Sequence, residues 1–297
     1  MRLFRIWLSV FFFMALTACG GGGGSEDGGK LSDGSASTEI PYPSANRSYP
    51  HSDRITFQRQ DAGDVLSLSD QSLWYITGHY SGGYDALGEH DVDLYEGSGQ
   101  FGEPTSGTSG THYMHIYGST RAFYLEYIPN LEIIATDVLP FHRERLGTLI
   151  ALSNGLLWQV VGVHSSGSDV LGTHAVAIYT NLALMPDITS TGRASDYYLH
   201  IESSSRGFYI EPLPSLTVQT VDTAYFNRES VGDFIQVDND SLWRIVGEHT
   251  FGYDVLDEHE VLIYTNVGGI PDPTSGERSD KYLYIYGSSV GFFVEPL

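Results

Sequence analysis

From about residue 50 onward, apolar residues recur at alternate positions in short bursts separated by turn residues, and no stretch keeps a helical period. A period of two puts successive side chains on opposite faces of a strand. Apolar runs at 65–68, 149–152 and 234–237 each meet a turn cluster (SDQS, SNG, DNDS), and a tryptophan-bearing strand follows. A glycine-containing loop leads to a further strand at 92–95, 176–179 or 261–264. After a loop rich in Pro, Gly, Ser and Thr comes a hairpin whose turn is GSTR, SSSR or GSSV. The pattern therefore predicts about five short strands in each stretch of roughly 80 residues, and an all-β chain. The joining segments 131–136 and 216–221 also alternate, so close packing of the units is expected, not floppy linkers.

Alignment on tryptophan shows that these strands form one unit written three times. Residues 72–95, 156–179 and 241–264 match, and Trp74, Trp158 and Trp243 lie 84 and 85 residues apart. A glycine stands 11 positions before each, at Gly63, Gly147 and Gly232, with F-x-R upstream as Phe57/Arg59, Phe141/Arg143 and Phe226/Arg228. The closing lines are YMHIYGSTRAFYLE, YLHIESSSRGFYIE and YLYIYGSSVGFFVE. Repeats of this length build arrays of small units. The expected units are 51–132, 133–216 and 217–297. Five short antiparallel strands protect their edges best by closing into a small barrel. In strand count and spacing each unit loosely resembles SH3-like barrels, a resemblance that carries no functional residues.

Two constellations are candidate sites. The first is H-x4-D-x4-H, present as His249, Asp254 and His259 and as His164, Asp169 and His174. Counting by twos from Trp243 and Trp158 puts all four histidines on the core side, with the aspartate in the loop between them. Two imidazoles and a carboxylate make a partial shell for zinc or another borderline divalent ion. Equally, the carboxylate can accept hydrogen bonds from imidazole and loop amides and so pin the hairpin. The first unit favours that structural reading, because it keeps Asp85 and His90 but has Tyr80 in place of the first histidine, with His79 beside it. A divalent metal is the alternative, and no other cofactor is expected.

The second constellation is aromatic. In the closing hairpin the aliphatic residues alternate with Tyr282, Tyr284 and Tyr286, and Phe293 and Glu295 share their parity on the partner strand. The matching sets are Tyr198, Tyr209 and Glu211 in the second unit, and Tyr113, Tyr117, Tyr124 and Glu126 in the first. An outward aromatic strip beside a carboxylate can stack on sugar rings or dock a peptide. Alternatively it packs against the neighbouring unit or supports its own sheet.

The chain's first residues carry another signal. Residues 1–5 are basic, 6–16 are an apolar run, and the run ends in Leu16-Thr17-Ala18-Cys19. This is the layout of a secretory signal, too short for a stable transmembrane helix. The LTAC segment resembles a bacterial lipobox. The resemblance implies cleavage after residue 18, a diacylglyceryl thioether on Cys19 and an acylated amine, which together anchor a protein stably. Gly20, where inner-membrane retention usually shows Asp, implies the outer membrane of a Gram-negative cell envelope. Residues 19–50 then read as a flexible Gly/Ser-rich tether.

Composition narrows the function. Cys19 is the only cysteine, so the exported body has no disulfide and no thiol nucleophile. With 15 basic and 37 acidic residues, a net charge of −22 disfavours nucleic acid and anionic lipid headgroups as partners. No nucleophile elbow, zincin helix, P-loop or dinucleotide fingerprint is present. Small repeated units suit multivalent binding. The expectation is a lipid-anchored, non-catalytic binding or interaction module with a polysaccharide or an envelope protein as ligand.

Overall fold

A computed structural model describes residues 49–81, 85–165, 170–238, 240–250 and 255–297, all within one compact unit. The first repeat holds β1 (His51–Gln58), β2 (Val65–Ser67), β3 (Leu73–Ser81), β4 (Leu87–Glu96), β5 (Ser106–Gly107), β6 (His112–Ile116) and β7 (Arg121–Tyr127). The second holds β8 (Glu132–His142), β9 (Leu149–Ala151), β10 (Leu157–Ser165), β11 (Leu171–Thr180), β12 (Thr191–Gly192), β13 (Tyr197–Ile201) and β14 (Arg206–Pro212). The third holds β15 (Thr217–Asn227), β16 (Phe234–Gln236), β17 (Leu242–Thr250), β18 (Leu256–Thr265), β19 (Ser275–Gly276), β20 (Lys281–Ile285) and β21 (Val290–Pro296).

Each repeat is one antiparallel sheet in the order β1-β4-β6-β7-β3-β2, with β5 added beside β3, and the other two repeat this order. The ends of each sheet curl toward each other. Asp53 accepts a hydrogen bond from the Ser69 amide at 2.8 Å and Asp137 one from the Ser153 amide at 2.7 Å. In the third repeat the Asp238 amide reaches the Thr223 carbonyl at 3.1 Å, and Ala224 bridges Val237. The all-β fold with three tandem barrel-like repeats is thus as the alternation predicts. The strand count is seven per repeat, not five.

The two additional strands have clear physical origins. β1, β8 and β15 contribute Phe57, Phe141 and Phe226 to the barrel cores, and the alternating joining segments are the starts of β8 and β15. The other is the two-residue strand β5, β12 or β19, too short to show any period. It exists because glycine faces glycine, at Gly78↔Gly107, Gly162↔Gly192 and Gly247↔Gly276. A Cβ on Gly78 would sit 2.5 Å from the Thr108 carbonyl oxygen.

Beside each such glycine the tryptophan strand carries a β-bulge, between Ile76 and Gly78, Val160 and Gly162, or Ile245 and Gly247. One extra residue reverses the facing of everything beyond it. Trp158, Val160 and Val163 therefore share the second barrel's core, while Val161 faces the preceding barrel. Two further apolar clusters join the barrels. Val65, Leu73 and Ile128 pack on Ala177, Tyr179, Tyr198 and Tyr209, and Leu149, Ala151 and Leu157 pack on Leu262, Tyr264, Tyr282 and Phe293.

Candidate functional site

The bulge separates the histidine pairs. His164 and His249 do not enter their own cores, as simple parity suggests; they face the barrel before them. The His164 Nε2 donates to the Gly63 carbonyl at 3.0 Å and Nδ1 accepts from the Tyr198 hydroxyl at 3.2 Å. His249 lines the groove beside Gly147 and lies 3.5 Å from the Tyr282 hydroxyl. The return-strand histidines stand on the other side of the sheet. His174 and His259 pack against the core rings Phe141 and Phe226 and donate to the Leu171 and Leu256 carbonyls at 3.0 and 2.9 Å. Asp169 and Asp254 lie outside the described residues, as does Cys19.

Neither histidine pair converges, and among the described residues no group of three His, Cys, Asp or Glu is placed to hold a metal ion. Burial depresses the His164 and His249 pKa values to about 4, so both rings are neutral near pH 7. The 3.6 Å approach of His164 to buried Asp64 is therefore not an ion pair at that pH. In the first repeat, the loop carboxylate Asp85 pairs with the buried Arg121 at 2.5 Å, and Arg121 also meets Asp61 at 3.1 Å. Asp61 takes His79 as a further partner at 2.5 Å. In this repeat the loop carboxylate is tied down by guanidinium, not imidazole.

The aromatic faces divide by repeat. Tyr198, Tyr209, Tyr282, Tyr284 and Phe293 are buried against the preceding barrel, and Tyr286 is half-buried at its edge. As ligand-binding residues these are corrected: a neighbouring barrel already covers them. Their hydroxyls lock the joints. Tyr179 donates to the Gln71 carbonyl at 2.9 Å, Tyr264 to the Gly155 carbonyl at 3.0 Å, and Tyr284 accepts from the Ala151 amide at 3.2 Å. His200 lies 3.1 Å from Ser67 of the first barrel, and burial lowers its pKa to about 3. Of the carboxylates in these sets, Glu211 pairs with Arg193 at 2.5 Å and Glu295 is exposed.

Only the first barrel's aromatic face has no barrel against it among the described residues. Tyr124 is buried and donates to the Gly102 carbonyl at 2.9 Å. Tyr113 is half-buried beneath Phe101, which stacks on it at 4.1 Å and nearly parallel. Tyr95 also meets Phe101, tilted, at 5.2 Å. Tyr117 and Tyr80 are 49% and 48% exposed. Beside Tyr117, Asp93 accepts from Ser52 at 2.7 Å and from Tyr117 at 2.5 Å, and these bonds hold its carboxyl below the usual range. Glu126 stands aside, accepting from the Thr111 amide and hydroxyl, both at 3.0 Å.

Tyr80, Asp93, Tyr95 and Phe101 complete this face, and sequence reasoning missed all four. A signal for the difference between repeats does exist. The hydroxyls of Tyr198 and Tyr282 lie over Gly207 and Gly291, where a Cβ would collide with them, whereas the first repeat has Ala122. RGF and VGF thus mark repeats whose tyrosine is folded into a joint, and RAF marks one whose tyrosine is not.

Comparison with family models, with curated proteins and with solved structures returns no match for this chain.

Proposed function

We propose that this chain is an envelope-anchored, non-catalytic interaction protein, held through acylated Cys19, whose working surface is the aromatic face of its first barrel. The ligand in this reading is a protein surface. The observation that carries it is internal: the equivalent faces of the second and third barrels each bury tyrosines against an aliphatic β-surface. The first barrel keeps Tyr95, Tyr113 and Tyr124 at the equivalent positions, and Phe101 where Met185 and Ile270 line the joints. It departs from them at two main positions, one of which gains a carboxylate. Asp93 replaces Ala177 and Leu262, and Tyr80 replaces His164 and His249. Such replacements suit a face that meets water between binding events.

The test is a photo-crosslinking amino acid at position 117 of the acylated full chain in the cell envelope. A discrete protein adduct, lost when Tyr113→Ala is added, is the expected result. No adduct, with binding on a glycan array that Tyr113→Ala abolishes, would replace the protein ligand by a polysaccharide.

A further inference from the structure

Every barrel has a second, apolar face, built from the outward residues of its short second strand and its tryptophan strand. Val65 and Leu73 supply it in the first barrel and Leu149 and Leu157 in the second, all buried by the barrel that follows. Among the described residues, nothing covers the corresponding residues of the third barrel. Phe234 is 54% exposed, Leu242 42% and Leu297 71%, although these side chains are at least as apolar as those they replace. Leu297 continues the face because its amide bonds the Leu242 carbonyl, as Leu213 and Ile128 bond Leu157 and Leu73. An exposed apolar cluster of this kind marks an interaction surface.

Resting on the reading above, we infer that the occupant is a second copy of this chain, whose first barrel docks its aromatic face on the third barrel's apolar face. Both internal joints supply the template, because each seats an aromatic face on an aliphatic one at the same register. Transferred to the free faces, that register brings His115 (in place of His200 and Tyr284) onto Gln236 (in place of Ser67 and Ala151). It also complements charge. Gln159 shares the second joint's groove with Pro271; its equivalent in the third barrel is the exposed Arg244. The residue after Pro271 is Asp272, whose equivalent on the first barrel's face is the exposed Glu103. Arg244 of one copy therefore approaches Glu103 of the next. Head-to-tail contacts are heterologous, so each copy leaves a free face at either end and copies add one after another, in rows or rings. With Asp93 and Tyr80 at the joint, this contact is weaker than the internal ones and reversible.

The test uses full-length chain in its envelope, with His115→Cys and Gln236→Cys in one molecule and a mild oxidant. A ladder of dimers, trimers and larger species on a non-reducing gel, lost on reduction, is expected, and is absent from either single-cysteine variant, which also controls for Cys19. Adding Leu242→Glu, at an exposed position, removes the ladder. The inference is overturned by no ladder, by dimers from Gln236→Cys alone (which would mean tail-to-tail pairing), or by a ladder that survives Leu242→Glu. Failure here together with a foreign protein adduct at position 117 would sink only the choice of partner. Failure here with no adduct at all would sink the protein-binding reading as well.

Discussion

The three repeat tryptophans are buried alike but bonded differently. The indole of Trp74 donates to Ser72 at 3.0 Å and that of Trp243 to Ser241 at 2.8 Å. In the second repeat the serine is replaced by Leu156, and the buried Trp158 indole nitrogen has no partner among the described residues. An unmet buried donor costs about 1–3 kcal/mol. Leu156 is itself 53% exposed, so removing it sacrifices little burial. Leu156→Ser should therefore raise the urea midpoint with unchanged slope, by about 1 kcal/mol in stability, and Ser241→Ala should lower it by a similar amount. A loss of stability in Leu156→Ser would show that the leucine matters more than the missing bond.

At the level of the element, the bulged tryptophan strand sets what faces where. Its extra residue sends His164 and His249 to the joints, and no period-two count along the chain reveals it. The strands themselves were legible because one face of each is buried and alternation follows. The two-residue strands were not legible, since two residues carry no period, and their glycines read as ordinary loop. The glycine pair is what allows the close approach. At Gly78 a Cβ would meet three backbone atoms, the Thr108 and Ser106 oxygens at 2.5 and 2.8 Å and the Thr108 nitrogen at 2.9 Å. Backbone yields only by moving β5. Gly78→Ala should cost about 1–3 kcal/mol, as overpacking does. Gly99→Ala meets nothing within 4 Å and should stay within about 0.5 kcal/mol of the parent. Equal effects of the two in thermal unfolding would mean that the glycine pairing is not what shapes this strand.

At the scale of the molecule, an array of barrels is as cooperative as its joints. The joints were the least legible part of the sequence, because a tyrosine strip between aliphatics looks the same whether a neighbour or water covers it. Gly207 and Gly291 against Ala122, and Ala177 and Leu262 against Asp93, record the difference. The joints also hold three buried histidines, with His164 and His200 in the first and His249 in the second. Their folded pKa values lie at about 4, about 3 and about 4, below the usual value of about 6.5 for an unfolded histidine. Desolvation is the principal cause in each case. The sign follows directly. Between these values the unfolded chain binds more protons than the folded one, so stability rises with pH. The contribution is complete above about pH 6.5 and is withdrawn as the pH falls toward 4, by on the order of 3 kcal/mol for His164 or His249. Because the loss falls on the joints and not on the barrel cores, lowering the pH should uncouple the barrels before it melts them. Calorimetry should show one transition near pH 7 that broadens or splits near pH 4.5. His249→Gln, which cannot titrate, should make the third barrel's transition less dependent on pH over that window, even if its midpoint at pH 7 is lower. A transition that stays single and shifts equally in the parent and in His249→Gln would mean that acid acts on the surface carboxylates and not through the joints.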